Sequence, residues 1–455
     1  MDFDLATIEN KNLKQSALHS SAPKVAVVGG GMLGLTLAWR LTQMGWKVTV
    51  FESGGELGGL ASVWRLGAIV WDKHYHVTLL SDTALRRILA ELGLETELCW
   101  RETRTGFYTD GRLVSMSNSL EFLRFPPLDL ISKFRLGATI FYASKITDWK
   151  KLENILVADW LKKLSGSKTF EKIWLPLLRA KLGESYRQTS AAFIWATIQR
   201  MYAARKTGLK KEMFGYVRGG YKRVLQTFGD TLRETGAEIR LHSRVEKVQK
   251  RSDDKIYVDG EAFDKVILTV PTNVAAKICP QLSDDERAKL NAISYQGIVC
   301  ASVLLKNPLA NFYVTNITDD APFTAVIEMS ALVDKSEFNN CALVYLPKYL
   351  APDDEMFEKT DDEIEALFVA ALEKMYPRFR RADVLEFKVS RVRQVFALST
   401  LNYSNNLPPM KTSVDGLFVV NSAQITTGTL NVNETVRLAE EFLATEFGEA
   451  PEKRN

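Results

Sequence analysis

The chain has 455 residues, 46% hydrophobic and 25% charged, and its 59 basic and 55 acidic side chains leave a net charge of +4. That length exceeds one ordinary hydrophobic core and predicts two interleaved domains, while the near balance of charge, with no basic aromatic repeat and no zinc-knuckle spacing, excludes a nucleic-acid-binding protein. The four cysteines, Cys99, Cys279, Cys300 and Cys341, are scattered without a C-x-x-C pair; they read as reduced structural thiols of a cytoplasmic protein and provide no metal site.

Residues 1–23 are polar and lack an apolar signal core, so a frayed tail is expected there rather than an export signal. The run Val25 to Val28 is short and β-branched, as a buried parallel strand should be, and leads into Gly29, Gly31 and Gly34 at the spacing G-x-G-x-x-G. The first glycine permits the tight turn, the second lets backbone N–H groups near Met32 and Leu33 approach a diphosphate, and the third lets the helix press on the sheet. A helical stripe through Leu37 and Leu41 should stop at Gly45, and a second strand, Val48 to Phe51, ends in Glu52. A carboxylate about 20 residues past such a loop accepts hydrogen bonds from ribose hydroxyls and repels a 2′-phosphate, which disfavours NADP.

Gly54, Gly55, Gly58 and Gly59 follow in a loop too glycine-rich for a simple connection, suited to a second close backbone approach to a ligand. From Leu98 to about Lys210 long helical patterns dominate, including Leu128 to Ile146, in which Lys133, Arg135 and Lys145 interrupt an apolar background. That segment is expected to be an amphipathic helix packed on the domain, or else a membrane-surface helix or the lip of a greasy tunnel. No apolar run reaches the ~18 residues needed to span a bilayer. Trp160, Trp174 and Trp195 read as helical core. Nucleotide-domain grammar returns at Gly219, with an amphipathic helix, a stop at Gly236, a strand Glu238 to Leu241 leading to Val245, a hairpin around Asp259 and Gly260, and a buried strand ended by Pro271. Residues 297–349 alternate like antiparallel strands. GLFVVN is a further buried strand, and a helix is predicted over Asn433 to Phe447.

Taken together, Gly29, Gly31 and Gly34, Glu52 with Gly58 and Gly59, the Gly219 unit, FDKVILTVP and the terminal GLFVVNSAQ…NVNETVRLAEEF resemble the flavin-containing amine oxidase superfamily around protoporphyrinogen oxidase and phytoene desaturase. The resemblance implies FAD as cofactor. It places Glu52 and Ser53 at the adenosine ribose, and Gly58, Gly59, Leu60 and Ala61 along the diphosphate. Val245 would face the adenine, Asn421 and Ser422 the diphosphate or ribityl chain, and Asn433, Glu434 and Thr435 the flavin ring. Two departures stand out: Leu60 occupies a position where many members carry Arg, and Asn421-Ser422 replaces the usual Gly-Asp. The implied fold is α/β, a Rossmann-like FAD domain with a parallel sheet assembled from residues 24–97, 211–290 and 401–447. An α+β substrate domain with a helical insertion and antiparallel strands is assigned to 98–210 and 291–400, and a tail to 448–455.

Candidate chemistry is sparse. His74 and His76 are two apart and would share one strand face; His76 is a candidate proton shuttle, or both are structural. Glu328, flanked by apolar strand residues, is a second catalytic candidate if buried, and otherwise points to solvent. Arg179 and Lys181 bind an anionic substrate group or line a solvated helix face. Arg391 and Arg393 anchor substrate or pair with acids. The reading is an FAD-dependent oxidoreductase removing hydride from a small apolar or glycan-linked substrate, with peripheral membrane contact as a further expectation. A redox-neutral flavin-dependent sugar mutase and a non-catalytic binding protein with a GDP-dissociation-inhibitor-like fold are the alternatives.

Overall fold

The computed structural model describes residues 22–205, 213–426 and 430–448. Nearly all of the tail expected at 1–23, the boundary expected at 210/211 and residues 449–455 lie outside the described residues.

Five strands hydrogen-bond in the order Glu238–Arg240, Lys47–Phe51, Lys24–Val28, Lys265–Leu268 and Leu417–Val419, all parallel. Lys24–Val28 and Lys47–Phe51 each bury four of their five residues, because helices cover one face of the parallel sheet and the small antiparallel sheet around Val248, Ile256 and Phe263, with helix Thr272–Ile278, covers the other. Helix Met32–Gln43 packs on one face and is itself covered by the closing helix Val432–Glu446. It stops where Gly45 takes φ +85°, and the Trp46 N–H then bonds back to the Leu41 carbonyl. The hairpin Ile256–Val258 and Glu261–Phe263 turns on Asp259 and Gly260, both at positive φ, the requirement of a type I′ turn.

A second sheet of seven strands runs Val384–Ala397, Tyr295–Leu305, Ala342–Leu350, Ala325–Glu328, Val314–Ile317, Thr105–Thr109 and Arg112–Ser115. It is antiparallel except where Val314–Ile317 meets Thr105–Thr109. The alternation expected from the sequence does not persist as burial: all eleven residues of Tyr295–Leu305 are buried. Ile298, Cys300 and Leu304 enter the core shared with the helical layer, while Val299, Ala301, Val303 and Leu305 lie beneath helix Asp361–Met375.

The helical layer is built on that first core. Trp160, Trp174 and Trp195 are buried in it, with the last two indole N–H groups donating to Ser165 Oγ (3.0 Å) and the Ile146 carbonyl (3.2 Å). Helix Leu130–Lys145 is capped by Asp129, whose Oδ1 accepts from the Ser132 N–H at 2.8 Å. Leu136 and Ala143 enter the core, yet the outward side is apolar as well. Lys133 is buried and donates to the Leu123 carbonyl at 2.7 Å, whereas Leu130, Ile131 and Phe134 are 73%, 74% and 78% exposed. Phe141 and Tyr142 of the same helix, and Leu120 and Leu123 just before it, extend this outward apolar face. No helix among the described residues is long and apolar enough to cross a membrane.

Candidate functional site

Each glycine of the first turn meets a different surrounding. Gly29 sits at φ +117°, and a Cβ there would lie 2.3 Å from Thr269 Oγ1; at Gly34 it would lie 1.9 Å from the Gly29 carbonyl oxygen. Those two are needed by the protein's own packing. Gly31 is different: it has an ordinary φ of −73°, and its nearest would-be neighbour is the Gly58 carbonyl at 4.0 Å. It begins helix Met32–Gln43 with no side-chain cap, so the positive end of that helix is left for an anion, with Met32 and Leu33 buried beside it.

The second glycine pair closes on this turn. The Gly58 N–H donates to the Gly30 carbonyl at 2.8 Å, and Gly59 opens a three-residue helical turn through Leu60 to buried Ala61. A Cβ on Gly59 would stand 3.3 Å from Gly31 Cα. Glu52 ties the loops together, with Oε2 accepting from the Gly30 N–H and Oε1 from the Gly54 N–H, both at 2.7 Å, and Ser53 Oγ 3.3 Å from Oε1. The segment after strand Glu238–Arg240 folds over the same corner: the His242 N–H donates to Gly54 O and the Ser243 N–H to Glu52 O. Val245 is buried beyond it, in a core with Phe51 and Phe263.

At the other end of the sheet, Asn421 is fully engaged within the protein. Its Nδ2 donates to the Val270 carbonyl (3.1 Å), its Oδ1 accepts from the Ala423 N–H (2.9 Å), and its N–H reaches Gln424 Oε1 (2.8 Å). Ser422 begins the turn that this box encloses. The closing helix starts at Val432, capped by the Asn431 side chain on the Glu434 N–H. Asn433 Oδ1 accepts from the Leu85 N–H at 3.1 Å, Glu434 pairs with Arg437, and Thr435 Oγ1 returns to the Asn431 carbonyl. All three side chains serve the helix and its neighbours, leaving backbone as what this segment offers a ligand.

The two histidines do not share a face. The strand stops at Asp72 and residues 73–77 are irregular, so the imidazoles diverge. His74 Nδ1 lies 3.2 Å from the Leu60 carbonyl, which can only accept, so Nδ1 carries the proton and Nε2 accepts from Ser390 Oγ at 3.1 Å. Burial, with His76 adding repulsion, holds the His74 pKa down to about 4, which keeps this strut neutral. His76 instead faces Tyr221, ring centroids 4.8 Å apart, with Nδ1 3.8 Å from Asp72 Oδ2. Asp72 Oδ1 in turn accepts the Tyr221 N–H at 2.8 Å in the first turn of helix Gly220–Glu234. A Cβ on Gly220 would lie 2.9 Å from that oxygen. The Gly219-Gly220 pair therefore seats a carboxylate of the protein itself.

Glu328 is 2% exposed, and burial raises its pKa. Its Oε2 accepts from the Ala310 N–H at 3.1 Å, and the neighbouring amides of Leu309 and Asn311 also favour its charged form, which gives it the work of holding that loop. Arg391 pairs with Asp361 at 2.6 Å and Arg393 with Glu358; Arg179 pairs with Glu184 at the surface. Lys181 departs from this pattern, turning inward with Nζ 3.5 Å from the centroid of Tyr349 and 5.2 Å from that of Phe396. Around it the fold gathers residues the sequence did not single out. Tyr75 and Tyr349 share a 2.8 Å hydrogen bond, Tyr345 lies beside Tyr75, Phe193 stacks on Phe396, and Cys300 stands on the same strand face as Gln296. Burial pushes the Tyr75 phenol up to about 12 and raises those of Tyr345 and Tyr349 as well. The run HYHV marks Tyr75, but nothing in one dimension joins it to Tyr349. Among the described residues no cluster of His, Cys, Asp and Glu is placed to hold a metal ion.

Residues 33–432 match the model of a family described as flavin containing amine oxidoreductase. The chain belongs to that family. Its relatives include 15-cis-phytoene desaturase of an Oncidium hybrid cultivar, 20% identical over 92% of this chain and 78% of that protein. Hydroxysqualene dehydroxylase of Zymomonas mobilis is 22% identical over 86% of this chain and 91% of its own. Among solved structures, a putative protoporphyrinogen oxidase from Exiguobacterium sp. 255-15 superposes with a TM-score of 0.73 at 17% identity, covering 94% of this chain and 98% of that one. The protein is an FAD-dependent oxidoreductase of mixed α/β fold. The open face at Gly31, the uncapped helix and the Glu52 carboxylate, whose oxygens keep lone pairs for ribose hydroxyls, fit that cofactor.

Proposed function

We propose that this flavoenzyme removes hydride from a small apolar substrate that it takes from a membrane surface. The observation that carries the reading is the outward apolar face of helix Leu130–Lys145, which exposes Leu130, Ile131, Phe134, Phe141 and Tyr142 together in addition to its buried side. A contiguous apolar face of that kind marks an interaction surface, and exposed Arg124, Lys145, Lys150, Lys162 and Lys163 in the same layer suit anionic lipid headgroups. The aromatic wall of Tyr75, Tyr349 and Phe396 beneath that layer suits an apolar body.

FAD, when bound, supplies the hydride acceptor. In the proposed arrangement the protein binds it through the backbone of Gly31, Met32, Leu33 and Gly34, with Gly58 to Ala61 against the same turn. Glu52 accepts from the ribose, and the backbone around Val245, Ser422 and 433–435 completes the site. Neutral His74 braces Leu60 against Ser390, so the loop beside the cofactor is held without a charge. Aromatic packing orients the substrate and excludes water, and no side-chain base is assigned to the hydride step.

Purified protein should retain FAD and bind sedimenting vesicles, and apolar polyene or terpenoid candidates should bleach its flavin spectrum under anaerobic conditions. Full retention of FAD with no vesicle binding, and bleaching only by polar substrates, would overturn the proposal.

A further inference from the structure

Among the described residues, half-buried Lys181 and buried Gln296 stand near the aromatic wall without a hydrogen-bonding or charged partner. Lys181 lies near the end of helix Leu175–Leu182, its Nζ over the rings of Tyr349 and Phe396, and among the described residues no carboxylate pairs with it. Gln296 is 1% exposed, and neither its Oε1 nor its Nε2 has a hydrogen-bond partner. The two belong to one place. Gln296 stands directly opposite Phe396 in the antiparallel register, so both point to one sheet face, and a Cβ on Gly183, two residues beyond Lys181, would lie 4.0 Å from Gln296 Nε2.

An unpaired amide is costly to bury and an ammonium costly to desolvate even in part, so their retention in one region suits a ligand that satisfies both. The rings provide a favourable seat for the cation but do not neutralise it. A carboxylate has two oxygens, one for a point charge and one for an amide donor. An amine substrate meets repulsion at the same place.

We propose that Lys181 and Gln296 form the anchor for the carboxylate of an amphiphilic substrate, with Tyr349, Phe396 and Phe193 lying along its hydrocarbon. This deepens the apolar-substrate reading above and rests on it. Burial holds the Lys181 pKa down to about 7. The groups facing it do not titrate near neutrality. Burial raises Tyr349, Tyr75 and Tyr345 and the Cys300 thiol, His74 is held neutral, and Arg179 and Glu184 pair with each other on the outer side of the helix. Binding of a carboxylate should therefore weaken as pH rises through the Lys181 titration, whereas binding of a neutral amphiphile should not.

The test is calorimetric titration of the FAD-loaded enzyme with decanoate and with decanol, at about pH 6.5 and about pH 8.5. Decanoate should bind roughly tenfold or more tighter than decanol at the lower pH, and the preference should shrink several-fold at the higher. Lys181→Met and Gln296→Leu should abolish or reduce the preference while retaining FAD and decanol binding, and Lys181→Arg should restore part of it. Equal affinity for the two probes, or a preference indifferent to pH and to Lys181→Met, would overturn the anchor and leave the apolar-substrate reading standing. Binding of neither probe would overturn both.

Discussion

Replacing Gly31 and Gly34 by alanine, one at a time, separates a glycine kept for the ligand from a glycine kept for the fold. At Gly31 the backbone is already in a region any residue adopts, and the added methyl meets nothing closer than 4.0 Å, so the FAD-free protein should lose no more than about 0.5 kcal/mol. The same methyl projects into the space left for the diphosphate. Displacing that group from two N–H donors forfeits about 1.5–3 kcal/mol each, so FAD affinity should fall at least ~100-fold. At Gly34 the methyl would lie 1.9 Å from the Gly29 carbonyl oxygen and 3.3 Å from Val27 Cγ1. The helix must then retreat from the sheet, an overpacking cost of about 1–3 kcal/mol paid with or without cofactor. The assay is thermal unfolding of FAD-stripped protein beside fluorescence titration with FAD. A Gly31→Ala protein that binds FAD like the parent, or one that loses as much unliganded stability as Gly34→Ala, would refute the assignment.

Three further outcomes follow from the same structure. Glu52→Gln keeps one acceptor for the Gly30 and Gly54 N–H groups instead of two charged ones and should weaken FAD by about 1.5–3 kcal/mol, read by the same titration. His74 has a native pKa of about 4, below its unfolded value of about 6.5, so between those values the unfolded chain binds a proton the native protein lacks. Stability should therefore rise with pH across that window, by up to about 3 kcal/mol from this group, and His74→Gln should flatten the rise in denaturant unfolding measured at successive pH values. Ile131→Glu with Phe134→Glu removes two apolar side chains worth about 1.5–3 kcal/mol each at a lipid interface. It should cut co-sedimentation with anionic vesicles by at least ~100-fold while leaving the melting temperature unchanged, because both positions are more than 70% exposed.

The cofactor half of the protein was legible in one dimension because its signals are local. A strand, a turn and a helix N-terminus occupy one short stretch, and the backbone demands of Gly29, Gly34 and Gly45 act on neighbours in sequence or on the adjoining strand. The stripe of Leu37 and Leu41 and the buried runs at 25–28 and 266–268 announce a covered parallel sheet for the same reason. Other assignments depended on which way a side chain turns, and that is settled by packing partners outside its own strand or helix, some nearby in the chain and some hundreds of residues away. Lys133 faces inward because the Leu123 carbonyl is there to receive it, and Phe134 faces outward as a consequence. His74 and His76 part because Ser390 draws one and helix Gly220–Glu234 seats the other. Glu328 is occupied by the loop at 309–311, Arg391 and Arg393 by acids of a separate segment. Lys181 and Arg179 are indistinguishable in a helical pattern, yet only tertiary structure gives one an acid and the other two aromatic rings. Sequence alone thus determined the nucleotide fold, through backbone conformation and periodic burial. The substrate side was decided by long-range contacts, since charge compensation and desolvation belong to the surroundings of a residue and not to its neighbours in the chain.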